Sequence, residues 1–223
     1  VQEVYGMHNW PGLSKGSFAI KSGKFFAAAD FFTINVEGKG GHAANPHSTI
    51  DTTLVASQIV SSIQTIAARN ADPLKSIVVS VCSFMTDTDA HNVIPGHVIL
   101  KGTVRTMEDE IRDLAEKNLS LICENTARAF GASANVEYNR GYPVMTNSEK
   151  ETMIAKEIGY SVTGTETIDV PPVMGAEDFS FMLNERPGAY ILIGNGDSAP
   201  VHNPNYNFDD DIISSGIAYW TQL

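Results

Sequence analysis

At 223 residues and 43% hydrophobic content the chain can build a real core, as one large domain or two ordinary ones, so a disordered tail is excluded. Aspartate and glutamate outnumber lysine and arginine 26 to 15, and the formal charge of −11 disfavours nucleic acid or an anionic membrane as partner while leaving small substrates and metals open. No apolar run approaches the roughly eighteen residues of a membrane span and the first residues do not read as a signal peptide, so a soluble cytoplasmic protein is the default expectation.

The first segment, VYGMHNWPG, places His8 where a short strand runs out into a Trp10-Pro11-Gly12 turn. SKGSFAIKSGKFFAAAD then reads as a hairpin or ribbon leading out of the first unit. From about Asp30 an ordered series begins: a strand over Phe31 to Val36, then the loop GKGGHAANPH, whose glycines at 38, 40 and 41 let another backbone come close and which presents His42 and His47. An S-x-x-D signal at Ser48 opens a helix with Val55, Ile59, Ile63 and Ile66 on one face. SIVVSVCSF and HVILKGTVRT are two further strands, separated by HNVIPG. A long helix starts near Met107, with Ile111, Ala115, Leu119, Ile122 and Ala129 along one side. SANVEYNRGYP closes the series.

Strand, helix, strand, strand, helix, strand is the ferredoxin-like order, with both helices covering one sheet face. After Pro143 come a short helix through Met153 and Ile158, the loop PPVMGAEDF, a buried strand AYILIGNG, a loop bearing His202, and a terminal helix. The expected division is 1–23 and 143–223 as two parts of one α/β unit, interrupted by a ferredoxin-like domain over 24–142. His8 and His202 then share a unit, each following a short β run, and form a plausible pair of metal ligands. Cys82 and Cys123 are too few for a disulfide framework and are expected as buried core thiols. Both ends look cut, since the chain opens on Val1 and stops at Leu223 directly after an apolar run.

The ordered motifs GMHNWPG, GKGGHAANPH, HNVIPG, GTVRT, RGYPVMTN, GAEDFSF and GNGDSAPVHNPNYNFDD resemble the M20 metallopeptidase and aminoacylase family, in particular its amidohydrolase branch with the hippurate and auxin-conjugate hydrolases. The resemblance implies a metal-dependent hydrolase that cleaves N-acyl or N-aroyl amino acids, built as a two-metal α/β domain interrupted by a ferredoxin-like lid that also dimerises. It implies that His8 and His202 bind a pair of divalent ions, for which zinc, manganese, nickel and cobalt all suit imidazole. It implies that His42 reaches a partner subunit's active site and donates to the amide oxygen, with Asn92 crossing beside it, and that Arg105 and Arg140 hold the substrate's carboxylate. Gly175 to Phe179 would wall the pocket. The family's N-terminal ligands and glutamate general base have no counterpart before Val1, so these residues alone are expected to be inactive. A dipeptidase or N-acetyl-diaminopimelate deacetylase would carry the same motifs, and a non-catalytic dimerisation module is the reading outside enzymes.

Overall fold

A computed structural model describes all 223 residues, Val1–Leu223. The chain opens with strands β1 (Val4–Trp10), β2 (Phe18–Ile20) and β3 (Gly23–Phe26). It continues through β4 (Ala28–Glu37), β5 (Gly41–His42), helix α1 (Thr52–Thr65), β6 (Ile77–Thr86), β7 (Val93–Ile94), β8 (His97–Thr106), α2 (Asp109–Ala129) and β9 (Ser133–Tyr142). It ends with β10 (Met145–Asn147), α3 (Glu149–Thr163), β11 (Ile168–Asp169), α4 (Phe179–Glu185), β12 (Gly188–Gly194) and α5 (Ile213–Gln222). Two compact units result: Val1–Ala27 with Met145–Leu223, and Ala28–Val144. The seams fall after residues 27 and 144 because β3 pairs antiparallel with β10, which ties residues 23–26 to the first unit. For the same reason the segment 14–30, read as a hairpin or ribbon, is not a hairpin: β2 joins β12 and β11 in one sheet while β3 leaves for another.

In the first unit the sheet order is β1-β12-β2-β11, with β1 and β12 parallel and β12 antiparallel to β2. Every residue of β12 is buried, as expected of an apolar strand covered on both faces. Alternation splits its side chains: Ala189, Ile191 and Ile193 pack with Phe18, Ala155 and Tyr219 on the α3 and α5 side, while Tyr190 and Leu192 join Phe25, Phe26 and Phe179 on the other. α3 is longer than the sequence suggested and buries Ala155 and Gly159, leaving Met153 58% exposed; Gly164, at φ 69°, ends it in the left-handed conformation that a glycine C-cap supplies.

In the second unit β4, β6, β8 and β9 form an antiparallel sheet in the order β6-β8-β4-β9, and α1 and α2 lie together on one face. Phe32, Ile34 and Val36 of β4 and Val98, Leu100 and Val104 of β8 are fully buried against Val55, Ile59, Ile63, Ala115 and Leu119. Gly102 shares that face because a Cβ there would stand 2.2 Å from the Phe32 ring. α1 starts at Thr52 rather than Ser48, since Asp51 caps it by accepting from the Thr53 and Leu54 amides at 3.0 and 3.1 Å. On α2 the buried stripe ends in Cys123 and Ala127, and Ala129 is exposed. Cys123 is a core thiol whose pKa burial pushes up to about 12. Cys82 is not: it falls in the register shift between Val81 and Ser83, where the pleat slips by one residue and turns it outward. No helix is long and apolar enough to cross a membrane.

Candidate metal and substrate site

In the first unit the carboxyl ends of the parallel strands β1 and β12 lie side by side, the place where open α/β sheets collect ligands. The loops leaving them are clamped by backbone bonds: Asn195 N to Trp10 O at 3.0 Å, Gly12 N to Gly196 O at 2.9 Å and Gly16 N to Gly194 O at 2.9 Å. Gly194 is required here, since a Cβ would meet Ser14 O at 2.0 Å. The buried Asn195 side chain closes the long loop after β12, donating to Asn207 O and Ser198 Oγ while accepting from Asp209 N. That loop carries His202 on the surface at φ 66°, the sole non-glycine residue in the left-handed region.

His8 lies half-buried near the end of β1. Its Nδ1 meets the backbone carbonyl of Asn9, which can only accept, so a proton sits on Nδ1 and, in the neutral ring, the lone pair is on Nε2. That nitrogen faces Glu177 Oε1 at 3.9 Å. The other carboxylate oxygen of Glu177 accepts from Tyr190 Oη at 3.2 Å. Gly6 makes this possible: a Cβ on it would stand 2.5 Å from the Tyr190 ring and 3.1 Å from Phe179. Burial raises the Glu177 pKa above the usual carboxylate range; His8, the Tyr190 hydrogen bond and, last, His202 pull it back, while Asp178 pushes it up. Both imidazoles are thus near enough to favour the charged form of this carboxylate when they are themselves protonated. Beside them a cleft of about 290 Å³ is lined by Trp10, Pro11, Gly12, Ser198, Pro200 and Val201.

In the second unit β5 and β7 form a two-stranded ribbon that pairs His42 with Val93, and Ala43 N donates to Asn92 O at 2.9 Å. The motifs GKGGH and HNVIPG thus meet, and His42 and Asn92 are exposed neighbours. None of Gly38, Gly40 and Gly41 has a positive φ. They are needed for close approach, since a Cβ on Gly40 would meet Ile94 O at 2.8 Å and one on Gly38 would meet Ile50 O at 2.6 Å. Ala44 N donates to His42 Nδ1 at 3.1 Å, so the proton is on Nε2 and this imidazole is a donor outward. Arg105 lies on β8, half-buried, with no carboxylate paired to it. Arg140 is engaged, its Nε and Nη2 donating to Glu116 at 2.8 Å and Asp113 at 2.6 Å on α2.

A model of peptidase family M20/M25/M40 matches residues 1–223. The chain is 33% identical over 213 residues to the N-acetyl-L-cysteine deacetylase of Bacillus subtilis strain 168, covering 96% of this chain and 51% of that one. It is 32% identical over 222 residues to the hippurate hydrolase of Campylobacter jejuni, covering 99% of this chain and 58% of that one. This chain belongs to the M20 peptidase family. Among solved structures it superposes on a Bacillus subtilis dinuclear metal binding peptidase of that family with a TM-score of 0.81 at 27% identity, covering 100% of this chain and 56% of that one. The chain thus spans about half the length of the relatives it matches.

For an M20 chain the donor chemistry fits a divalent ion in part. His8 offers a free Nε2 held by its backbone partner, and His202 stands on a loop pinned to the same strand ends. Two imidazoles do not close a site, and nowhere in the 223 residues do three His, Cys, Asp or Glu side chains gather to hold a metal. Tyr190, Gly6 and Asn195 belong to the site as well. In the sequence Tyr190 is one more apolar residue of AYILIG, whereas Asn195, between two glycines directly after a buried strand, carries a legible signal.

Proposed function

We propose that the chain forms the ferredoxin-like lid and the C-terminal part of the catalytic unit of a cytoplasmic, metal-dependent amidohydrolase that cleaves N-acyl or N-aroyl amino acids to a carboxylate and a free amino acid. The observation that carries this reading is that two histidine Nδ1 atoms meet opposite backbone partners, the Asn9 carbonyl for His8 and the Ala44 amide for His42, which sets opposite tautomers for the neutral rings. His8 keeps a lone pair on Nε2 and suits a metal; His42 keeps a proton on Nε2 and suits an oxygen that gains negative charge. His8 and His202 would hold divalent metal, with the remaining ligands and the general base supplied by other residues of the protein. Bound there, the metal pair would supply Lewis-acid polarisation of the amide carbonyl and bring the pKa of water down toward neutrality.

Oxygen stabilisation and substrate holding would fall to this chain's own residues. His42, on the lid of one subunit, would donate Nε2–H to the amide oxygen in a partner subunit's site, with Asn92 beside it on the ribbon. Arg105 is the better holder of the substrate carboxylate, because its planar fork has no ion-pair partner, whereas Arg140 would first have to leave Glu116 and Asp113. Dimerisation would use the lid, whose edge strands β6 and β9 are unpaired on their outer sides. The experiment is a panel of hippurate, N-acetyl amino acids, N-acetyl-diaminopimelate and dipeptides offered to the full-length metal-loaded protein. Turnover of N-acyl or N-aroyl amino acids ahead of dipeptides is expected; a preference for dipeptides would move the assignment to a peptidase, and no turnover of any member would refute it. The 223 residues alone should show no turnover, since they carry only two of the ligands.

A further inference from the structure

Resting on the amide-hydrolysis reading above, we infer that Glu177 is the acceptor for the substrate's amide N–H and for the ammonium into which that nitrogen is converted. Three features of the first unit carry this. The carboxylate is held from behind: Tyr190 donates to Oε2 at 3.2 Å, and Gly6 leaves the space that lets the Tyr190 ring lie there. Its backbone is fixed as well, because Ser180 donates through both N and Oγ to Glu177 O at the start of α4, at 3.2 and 2.6 Å. Finally, Oε1 is left facing the site, since 3.9 Å from His8 Nε2 is beyond a hydrogen bond.

No lysine or arginine pairs with this half-buried carboxylate, so the cations it meets are those brought to the site with its ligands. Besides the metal, the reaction itself supplies one. Hydrolysis breaks the C–N bond of a neutral amide, places the oxygen of water on the acyl carbon, and leaves a carboxylate and an ammonium, so atoms and charge balance. The nitrogen enters with one N–H and leaves with three and a positive charge. An acceptor at Glu177 therefore binds the nitrogen more strongly the further the reaction has gone, as a charge-assisted hydrogen bond replaces a neutral-donor one.

The test uses the full-length metal-loaded protein, wild type, Glu177→Gln and Tyr190→Phe, with glycine, the amine product of hippurate, as the calorimetric probe. Glu177→Gln should weaken glycine binding about tenfold or more, and Tyr190→Phe about threefold, with metal content per chain unchanged in both. In parallel, kcat/KM for hippurate should fall in Glu177→Gln by several times more than for the ester analogue in which oxygen replaces the amide nitrogen. Unchanged glycine affinity, or equal losses on amide and ester, would overturn the inference. So would loss of metal from Glu177→Gln, which would make the residue a ligand instead. A wild-type protein that cleaves no N-acyl amino acid would overturn the underlying reading, an outcome visible before any variant is made.

Discussion

Two polar clusters, one in each unit, use the same kinds of side chain to opposite ends. In the second unit the Asp30 carboxylate is buried and receives four donors: Arg112 through Nε at 2.9 Å and through Nη2, Tyr138 Oη at 2.8 Å and Gly141 N at 3.0 Å. Arg112 also donates to Gly141 O at 3.3 Å, so the cluster fixes the register shift between β4 and β9. Nothing in it faces outward. In the first unit Glu177 receives one side-chain donor and keeps one oxygen toward His8, whose own Nε2 is open. A closed network of this kind specifies structure, and an open one keeps its capacity for a ligand.

The largest expected effect comes from breaking the closed cluster. Asp30→Asn leaves Arg112 buried beside a neutral amide and should cost about 3–5 kcal/mol. Both tryptophans, Trp10 and Trp220, lie in the first unit, so amide exchange in β4, β8 and β9 is the direct readout, and protection there should fall more than around Trp10. Next is Gly6→Ala, which drives a methyl into the Tyr190 ring and should cost about 1–3 kcal/mol by urea unfolding. By contrast, Glu177→Gln should alter stability by no more than about 1 kcal/mol, because an open cluster contributes little to the fold. An equal loss from Asp30→Asn and Glu177→Gln would erase the distinction between the two clusters.

The smallest effect concerns the ion pair that ends the His202 loop. Lys15 depresses the Asp209 pKa, helped by the Asp211 amide. A carboxyl whose folded pKa lies below its unfolded value of about 4 stabilises above that value and loses the contribution as pH falls through the folded pKa. Melting curves of wild type and Asp209→Asn should therefore differ slightly at neutral pH and converge in the acid range below about pH 4. A gap that persists in acid would show that the pair's charge is not what holds the loop.

The second unit was the more legible in sequence, and the reason is physical. Its strands and helices bury one face each, so the alternation of Val98, Leu100, Gly102 and Val104 and the spacing of Val55, Ile59 and Ile63 record their neighbours directly. The bulge that exposes Cys82 leaves no such trace, because a register slip depends on the partner strand. In the first unit β12 is buried on both faces, and periodicity cannot say which side chains meet which layer. Tyr190 does not stand out from its neighbours for that reason. The histidines themselves stood out because strand ends and glycine-rich loops mark sites, whereas their tautomers depend on backbone partners that only coordinates reveal.

Metal content of the full-length protein, measured after dialysis for wild type, His8→Ala and His202→Ala, tests the central claim most directly. The account predicts stoichiometric divalent metal in the wild type and a clear loss in each variant. Full metal content in either variant, with the fold intact by circular dichroism, would contradict it.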